Sequence, residues 1–362
     1  MQKIRNLRIA EIITDTTPTN LWSQLKQVGV DEIVGILPRA PSDWRKEIPD
    51  RPWDYVPLSD LKNHLSEFGL KLTAIEDNPP MNRIRYGAPG KDAELEDVIT
   101  FIKNMGKLGI KTWCYNWMAG IGWYRSEKNV ITRGLARTTA FNLDKVHAYP
   151  PPRIGTITAS ELWKNLKDFL ETVIPIAEDS GVILAMHPDD PPVSKLRGIP
   201  RVMNSIESFD RLLNLVPSPS NAITLCQGNF TLMTQNLPSV IRHFGEKIEF
   251  VHFRDVVGTS PNFIETFIDE GMTDLIACMK AYVEIGFKGI MRTDHTPTLS
   301  GDTAEVPGYS ILGRLHAIGY IQGVYDTAYS EMYGANDELS IERSKTHDRN
   351  GFGTTNDMTR TP

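Results

Sequence analysis

Four side chains that bind metals well stand at the ends of four short apolar runs. His187 follows Val-Ile-Leu-Ala-Met, Cys226 follows Ala-Ile-Thr-Leu, His252 follows Ile-Glu-Phe-Val, and Asp294 follows Gly-Ile-Met-Arg-Thr. The steps between them are 39, 26 and 42 residues, each long enough for a loop, a helix and a return strand. A lone His or Cys at a strand end is most often a packed core residue. Four in phase at consecutive strand ends are hard to explain by packing. In a parallel barrel the strand C-termini converge on one face, and that face carries the chemistry. His187, Cys226, His252 and Asp294 are therefore expected to meet at one metal centre.

The flanks agree. His187 opens His-Pro-Asp-Asp-Pro-Pro, where three prolines stiffen a loop and forbid regular pairing. Cys226 opens Cys-Gln-Gly-Asn, in which Gly228 permits a close backbone approach. Thiolate leans towards Zn or Fe, carboxylate towards Mn or Mg, and imidazole suits several divalent ions. The spacing is not that of a structural zinc finger, and ligands from separate strands leave one side open to water or substrate. A divalent cation held there could bind a carboxylate with its adjacent hydroxyl. It would stabilise the charge that develops when a proton beside that carboxylate is removed. His295, next to Asp294, and Tyr309 in Pro-Gly-Tyr-Ser are candidate proton carriers. On composition alone, Tyr309 reads better as an aromatic at a helix N-terminus packed on the barrel rim.

The elements that must position these residues recur along the chain. Eight apolar runs read as strands: 7–13, 32–37, 71–76, 112–117, 182–187, 222–226, 248–252 and 289–294. Helical patterns lie between them at 19–28, 58–68, 93–108, 160–180, 206–215, 237–244 and 274–285. Several end on a glycine placed for a left-handed cap just before the next strand. Eight strands with seven helical patterns between them predict a (β/α)8 TIM barrel. A doubly wound open sheet fits less well, because polar strand ends continue through strands five to eight instead of clustering at one switch point.

Two segments break the rhythm. The stretch 123–157 is a long connection rich in Arg, Thr and Pro, and is expected to cover the site and offer a basic contact through Arg125, Arg133, Arg137 or Arg153. Residues 331–362 are poor in apolar side chains and read as a polar, mobile tail, leaving 1–330 as a single catalytic domain.

Composition sets the outer limits. The chain has 362 residues, 40% hydrophobic and 23% charged, as expected of a soluble globular protein. A net charge of −6 argues against nucleic acid as a partner. No apolar run reaches the ~20 residues of a membrane helix. Three cysteines in a chain this long suggest a reducing compartment, so a cytoplasmic protein is expected.

Several segments in order resemble the mannonate dehydratase family. They are Cys114-Tyr115-Asn116-Trp117-Met118, Ile174-Pro175-Ile176-Ala177-Glu178, His187-Pro188-Asp189-Asp190-Pro191-Pro192, Gly198-Ile199-Pro200-Arg201, His252-Phe253-Arg254, Asp294-His295, and Pro307-Gly308-Tyr309-Ser310 followed by Gly313-Arg314-Leu315. The resemblance implies a metal-dependent TIM-barrel lyase of hexuronate catabolism. Its reaction would turn D-mannonate into 2-keto-3-deoxy-D-gluconate and water. It implies Mn²⁺ as cofactor, with Mg²⁺, Fe²⁺, Co²⁺ or Zn²⁺ as alternatives, a small sugar acid as substrate, and a homo-oligomer. It assigns His187, Cys226, His252 and Asp294 as ligands and His295 with Tyr309 as the acid/base pair. Arg201, Arg254 and Asn116 become substrate contacts, Arg's fixed fork suiting a carboxylate.

The chain departs from the family at Arg8-Ile9-Ala10-Glu11, Gln227-Gly228-Asn229 and Thr296-Pro297, and its insertion after strand four is shorter. These departures keep open an isomerase or epimerase acting on a related acid, or a barrel that binds a sugar acid without turnover.

Overall fold

The computed structural model describes residues 6–38, 50–146, 149–150, 155–302 and 307–334. Eight parallel strands close into a barrel: β1 (Arg8–Ile13), β2 (Glu32–Gly35), β3 (Lys71–Ile75), β4 (Thr112–Asn116), β5 (Ile183–His187), β6 (Asn221–Cys226), β7 (Ile248–His252) and β8 (Ile290–Arg292). Each strand pairs with its neighbours in sequence, and β8 returns to β1 through Arg8↔Ile290. All eight ends fall within two residues of the expected runs, and the TIM barrel is the fold.

Continuous apolar strands are needed because both faces are buried. One face fills the lumen with Ala10, Ile12, Val34, Ala74, Cys114, Ala185, Phe250 and Ile290. The other packs on the surrounding helices through residues such as Trp22, Phe101, Trp113 and Phe169, each no more than 1% exposed. Fully burying such a side chain contributes ~1.5–3 kcal/mol. Helix stops follow the sequence signals. Helices Lys91–Leu108 and Ala159–Ser180 both end on a left-handed glycine, Gly109 (φ 69°) and Gly181 (φ 67°), and the next strand starts within three residues.

Three differences from the sequence reading emerge. The connection after β4 is not irregular. It contributes strands Glu127–Ile131 and Arg137–Asn142 to a four-stranded antiparallel sheet completed by Asn262–Glu265 and Val256–Thr259 from the loop after β7. A separate apolar cluster around Phe141, Val193, Leu196, Val256 and Phe263 fixes this sheet at the C-terminal end of the barrel. A closing helix, Ile311–Tyr333, was not expected from periodicity. It runs past the proposed boundary at 330, while residues 335–362 of the expected tail lie outside the described residues.

Candidate active site

Parallel register carries the strand-end residues to one level. Asn116 of β4 lies opposite His187 of β5, Cys226 of β6 opposite His252 of β7, and His252 opposite Arg292 of β8. The donor atoms of His187, Cys226 and His252 all lie within 4.8 Å of one another. His187 Nε2 is 3.3 Å from His252 Nδ1, and the other His187 nitrogen is 2.7 Å from the Pro188 carbonyl. Asp294 joins them two residues after β8. Its Oδ2 is 3.5 Å from His252 Nδ1 and accepts from Cys226 Sγ at 3.7 Å. Asp294 sits at φ 62°, a left-handed conformation uncommon for a side-chain-bearing residue and one that collects at functional sites. The structure thus brings together all four residues singled out by strand phase.

The electrostatics suit a cation. Burial opposes ionisation of the Cys226 thiol. The Arg254 guanidinium and hydrogen bonds with His187 and His252 nevertheless pull it down to about 6, favouring the thiolate that binds metal. Asp294 is held well below the usual carboxylate range, because His295, Arg292, His252 and Arg254 outweigh its burial. His252 is fully buried, and its Nε2 has no hydrogen-bond partner although Glu76 Oε2 lies 3.3 Å away. Two imidazoles, a thiolate-prone Cys and a carboxylate at this separation, with an orphaned buried nitrogen among them, fit a divalent cation.

A cavity of about 240 Å³ opens beside these residues. Asn116, His187, Asp294, His295 and Tyr309 line it, joined by Glu76, Cys114 and Trp123. His295 sits between Trp123, tilted at 58°, and Tyr309, edge-to-face at 83°, at centroid distances of 5.1 and 5.4 Å. Tyr309 faces the cavity as well as packing on the rim, and burial pushes its phenol above the ordinary range.

The two arginines proposed as substrate contacts sit differently. Arg254 is 2% exposed and spends its guanidinium on Asp294 (2.6 Å), Asp190 (3.1 Å) and Asn229 (3.4 Å). A Cβ on Gly228 would lie 2.1 Å from its Nη1, so the glycine is what lets it pass. Arg201 is buried against Asp189 (3.4 Å) and the Gly122 carbonyl (3.1 Å). Neither lines the cavity. The expected basic contact from the β4 insertion also turns inward. Arg125 Nη1 reaches Asp190 at 2.5 Å and its Nη2 reaches Glu265 at 2.5 Å, both buried, while Arg133 pairs with Asp269 at the surface. Arg153 lies outside the described residues.

Sequence reasoning passed over Glu76, Trp123 and Glu265 as site residues, gave Asp190 no role beyond its motif, and read Arg125 as a basic contact for substrate. Glu76 had a signal, for it closes the third apolar run in the same phase as the four ligand candidates. It carries Arg292 at 2.8 and 2.6 Å, and is held down to about 2 because Arg292 and His252 outweigh its burial. Trp123, Arg125 and Asp190 come from loops and Glu265 from a strand of the added sheet, where no barrel periodicity marks them.

The family model described as D-mannonate dehydratase (UxuA) matches residues 15–154 and 152–335. The chain belongs to the mannonate dehydratase family. The mannonate dehydratase of Thermotoga neapolitana is 31% identical over 347 residues, 85% of this chain and 94% of that protein. That of Shouchella clausii is 30% identical over 338 residues, 84% of this chain and 92% of that protein. The crystal structure of mannonate dehydratase from Streptococcus suis serotype 2 superposes with a TM-score of 0.83 at 28% identity, covering 95% of this chain and 99% of that one. L-ribulose 3-epimerase, at 17% identity and a TM-score of 0.59, shares the fold. Mannonate dehydratases are hydro-lyases of carbohydrate metabolism, and the family is metal-dependent.

Proposed function

We propose that this chain dehydrates D-mannonate to 2-keto-3-deoxy-D-gluconate, with His187, Cys226, His252 and Asp294 holding the divalent cation and His295 and Tyr309 moving the protons. The observation that carries this is the convergence of two imidazoles, a thiolate-prone Cys and a carboxylate beside a cavity that also receives His295 and Tyr309. Mn²⁺ is the cation that the family resemblance implies; the donor set itself is mixed, its thiolate leaning towards Fe²⁺ or Zn²⁺ and its carboxylate towards Mn²⁺ or Mg²⁺. When bound, such a cation supplies Lewis acidity for a carboxylate and its neighbouring hydroxyl.

The remaining chemistry belongs to the chain. The C2–H proton is removed, the C3–O bond breaks, and the departing hydroxide takes a proton to leave as water. The resulting enol then tautomerises to the 2-keto acid. His295, whose Nε2 lies on the Asp294 side of the ring at 3.6 Å from Oδ1, is the base. Tyr309, kept protonated by burial, is the acid for the departing hydroxyl. Asn116 lines the same wall and is the polar side chain placed to contact a substrate hydroxyl. Trp123 and Met118 give the cavity large apolar lining. The three cysteines are free and buried, which supports a reducing, cytoplasmic setting. Among the described residues no helix is long and apolar enough to cross a membrane.

The test is incubation with a panel of aldonates and uronates, with Mn²⁺ and after chelation. A 2-keto-3-deoxy product from D-mannonate that is lost on chelation is expected. Mass-neutral conversion would instead favour an epimerase, and binding without conversion a non-catalytic barrel.

A further inference from the structure

His295 is held from behind by a carboxylate that comes from outside the barrel. Glu265 closes the strand Asn262–Glu265 of the four-stranded sheet, and its Oε1 lies 2.7 Å from His295 Nδ1. Glu265 is itself immobilised. Arg125 donates to Oε1 from Nη2 at 2.5 Å and from Nε at 3.2 Å, and the Thr139 hydroxyl donates to Oε2. Arg254 Nη1 adds a charge contact at 3.5 Å. Arg125 and Thr139 both belong to the insertion after β4, so the insertion also reaches the site through Glu265. On the far edge of the ring, a Cβ at Gly308 would come within 3.1–3.3 Å of His295, so the bare glycine lets the ring sit where Trp123 and Tyr309 flank it.

Burial alone would favour a neutral carboxyl at Glu265. Arg125 and His295 overcome it and hold the group far below the usual range, so it is ionised. An ionised carboxylate accepts hydrogen bonds and donates none. The proton in the Glu265–His295 contact therefore belongs to Nδ1. That leaves Nε2, the nitrogen 3.6 Å from Asp294 Oδ1, as the one free to take up or release a proton. We infer that Glu265 is a positioning residue, which fixes the orientation and tautomer of His295 so that Nε2 alone meets the substrate, with Arg125 and Thr139 of the β4 insertion as its clamp. This rests on His295 acting as the base in the proposed reaction. A carboxylate in this place does not touch substrate. It orients the imidazole and stabilises the imidazolium that forms when the base is protonated.

The experiment uses the full chain loaded with Mn²⁺, as wild type, Glu265→Gln and Glu265→Ala. Readouts are metal content, kcat and KM on D-mannonate, rescue by added formate, and, with diamagnetic Mg²⁺ in place of Mn²⁺, the ¹⁵N imidazole spectrum of His295 assigned by its loss in His295→Gln. Metal content and KM should hold in both variants. In Glu265→Ala kcat should fall by ~10²–10⁴-fold, the range of a positioned acid–base group. Glu265→Gln, which keeps an acceptor for Nδ1–H, should fall between the two. Formate should restore part of the Ala variant's kcat, and that variant should shift proton density from Nδ1 to Nε2. Wild-type kcat in the Gln and Ala variants, or an Nε2–H tautomer in the wild type, would overturn the inference. So would a kcat loss without rescue or tautomer change, which would make Glu265 purely structural. If Glu265→Ala does not fold, the isosteric Gln variant decides: unchanged kcat refutes, and a kcat loss at constant KM and metal content supports. If the wild type leaves D-mannonate untouched, the proposed reaction fails while the tautomer spectra still test the role of Glu265.

Discussion

Replacing Arg125 with Met should destabilise the protein by ~3–5 kcal/mol, the cost of removing one partner from a buried ion pair. Its side chain is fully buried, as are Asp190 and Glu265. Contacts at 2.5 Å and 3.0 Å to Asp190, and at 2.5 Å and 3.2 Å to Glu265, make it the common counter-ion of two carboxylates. At ~3 Å and an effective dielectric of ~20, each pair is worth on the order of 5 kcal/mol before desolvation. Desolvation offsets most of that in the intact pair, but not once the cation is gone. Arg254, at 3.1 Å from Asp190 and 3.5 Å from Glu265, compensates in part, which places the loss within the quoted range rather than above it. Arg133→Met is the control. Its pair with Asp269 has nearly the same length, 2.9 Å, but is 43% and 31% exposed, so ~0–1 kcal/mol is expected. Urea unfolding followed by fluorescence and circular dichroism reads both variants. Equal midpoints for Arg125→Met and Arg133→Met would refute the picture of a buried, mutually dependent network. Adding Asp190→Asn to Arg125→Met should recover part of the loss, because one uncompensated charge disappears.

Two other outcomes follow from the site. His187→Ala and Asp294→Ala should each show strongly reduced metal by elemental analysis, and wild-type occupancy in both would remove them from the ligand set. Tyr309→Phe should keep metal content and KM while kcat drops by ~10²–10⁴-fold, and near wild-type kcat would return Tyr309 to rim packing.

How much of this was legible in the sequence depends on periodicity. The barrel strands announced themselves because burial on both faces demands unbroken apolar runs. Once the strands were placed, His187, Cys226, His252 and Asp294 fell into phase at their ends. The same logic reaches Glu76 at the end of the third run. The closing helix Ile311–Tyr333 escaped because apolar residues lie on all its sides: Ile318, Ile321, Val324 and Tyr325 are buried, but Leu312 and Tyr333 are exposed, so no polar face sets off an apolar stripe. The buried network of Arg125, Asp190 and Glu265 escaped for a different reason. Their partners lie 65 and 140 residues apart in sequence, and a contact made through an added sheet leaves no local pattern. Arginine content in the insertion was visible, but not that Arg125 would face protein carboxylates instead of substrate.

That inward turn of the arginines shapes how an acid can be recognised. Among the described residues, the cavity wall contains Glu76, Asp77, Asp190 and Asp294 and no Lys or Arg. Arg292 lies against Glu76 and Asp294, Arg254 against Asp294 and Asp190, and Arg125 against Asp190 and Glu265. These cations balance the site's own carboxylates, and none of them lines the wall to attract an anion. A sugar acid entering this wall meets carboxylates already balanced from behind and finds no cationic side chain on the wall itself. The cation held by two imidazoles, one thiolate and one carboxylate would carry no excess positive charge, since two negative ligands match a divalent ion. Its attraction for a substrate carboxylate is therefore that of a Lewis acid with open coordination positions, which is directional and short-ranged, rather than that of a net positive field. Such a site selects a ligand that can present a carboxylate and a neighbouring hydroxyl together, and it gives little advantage to anions lacking the second group.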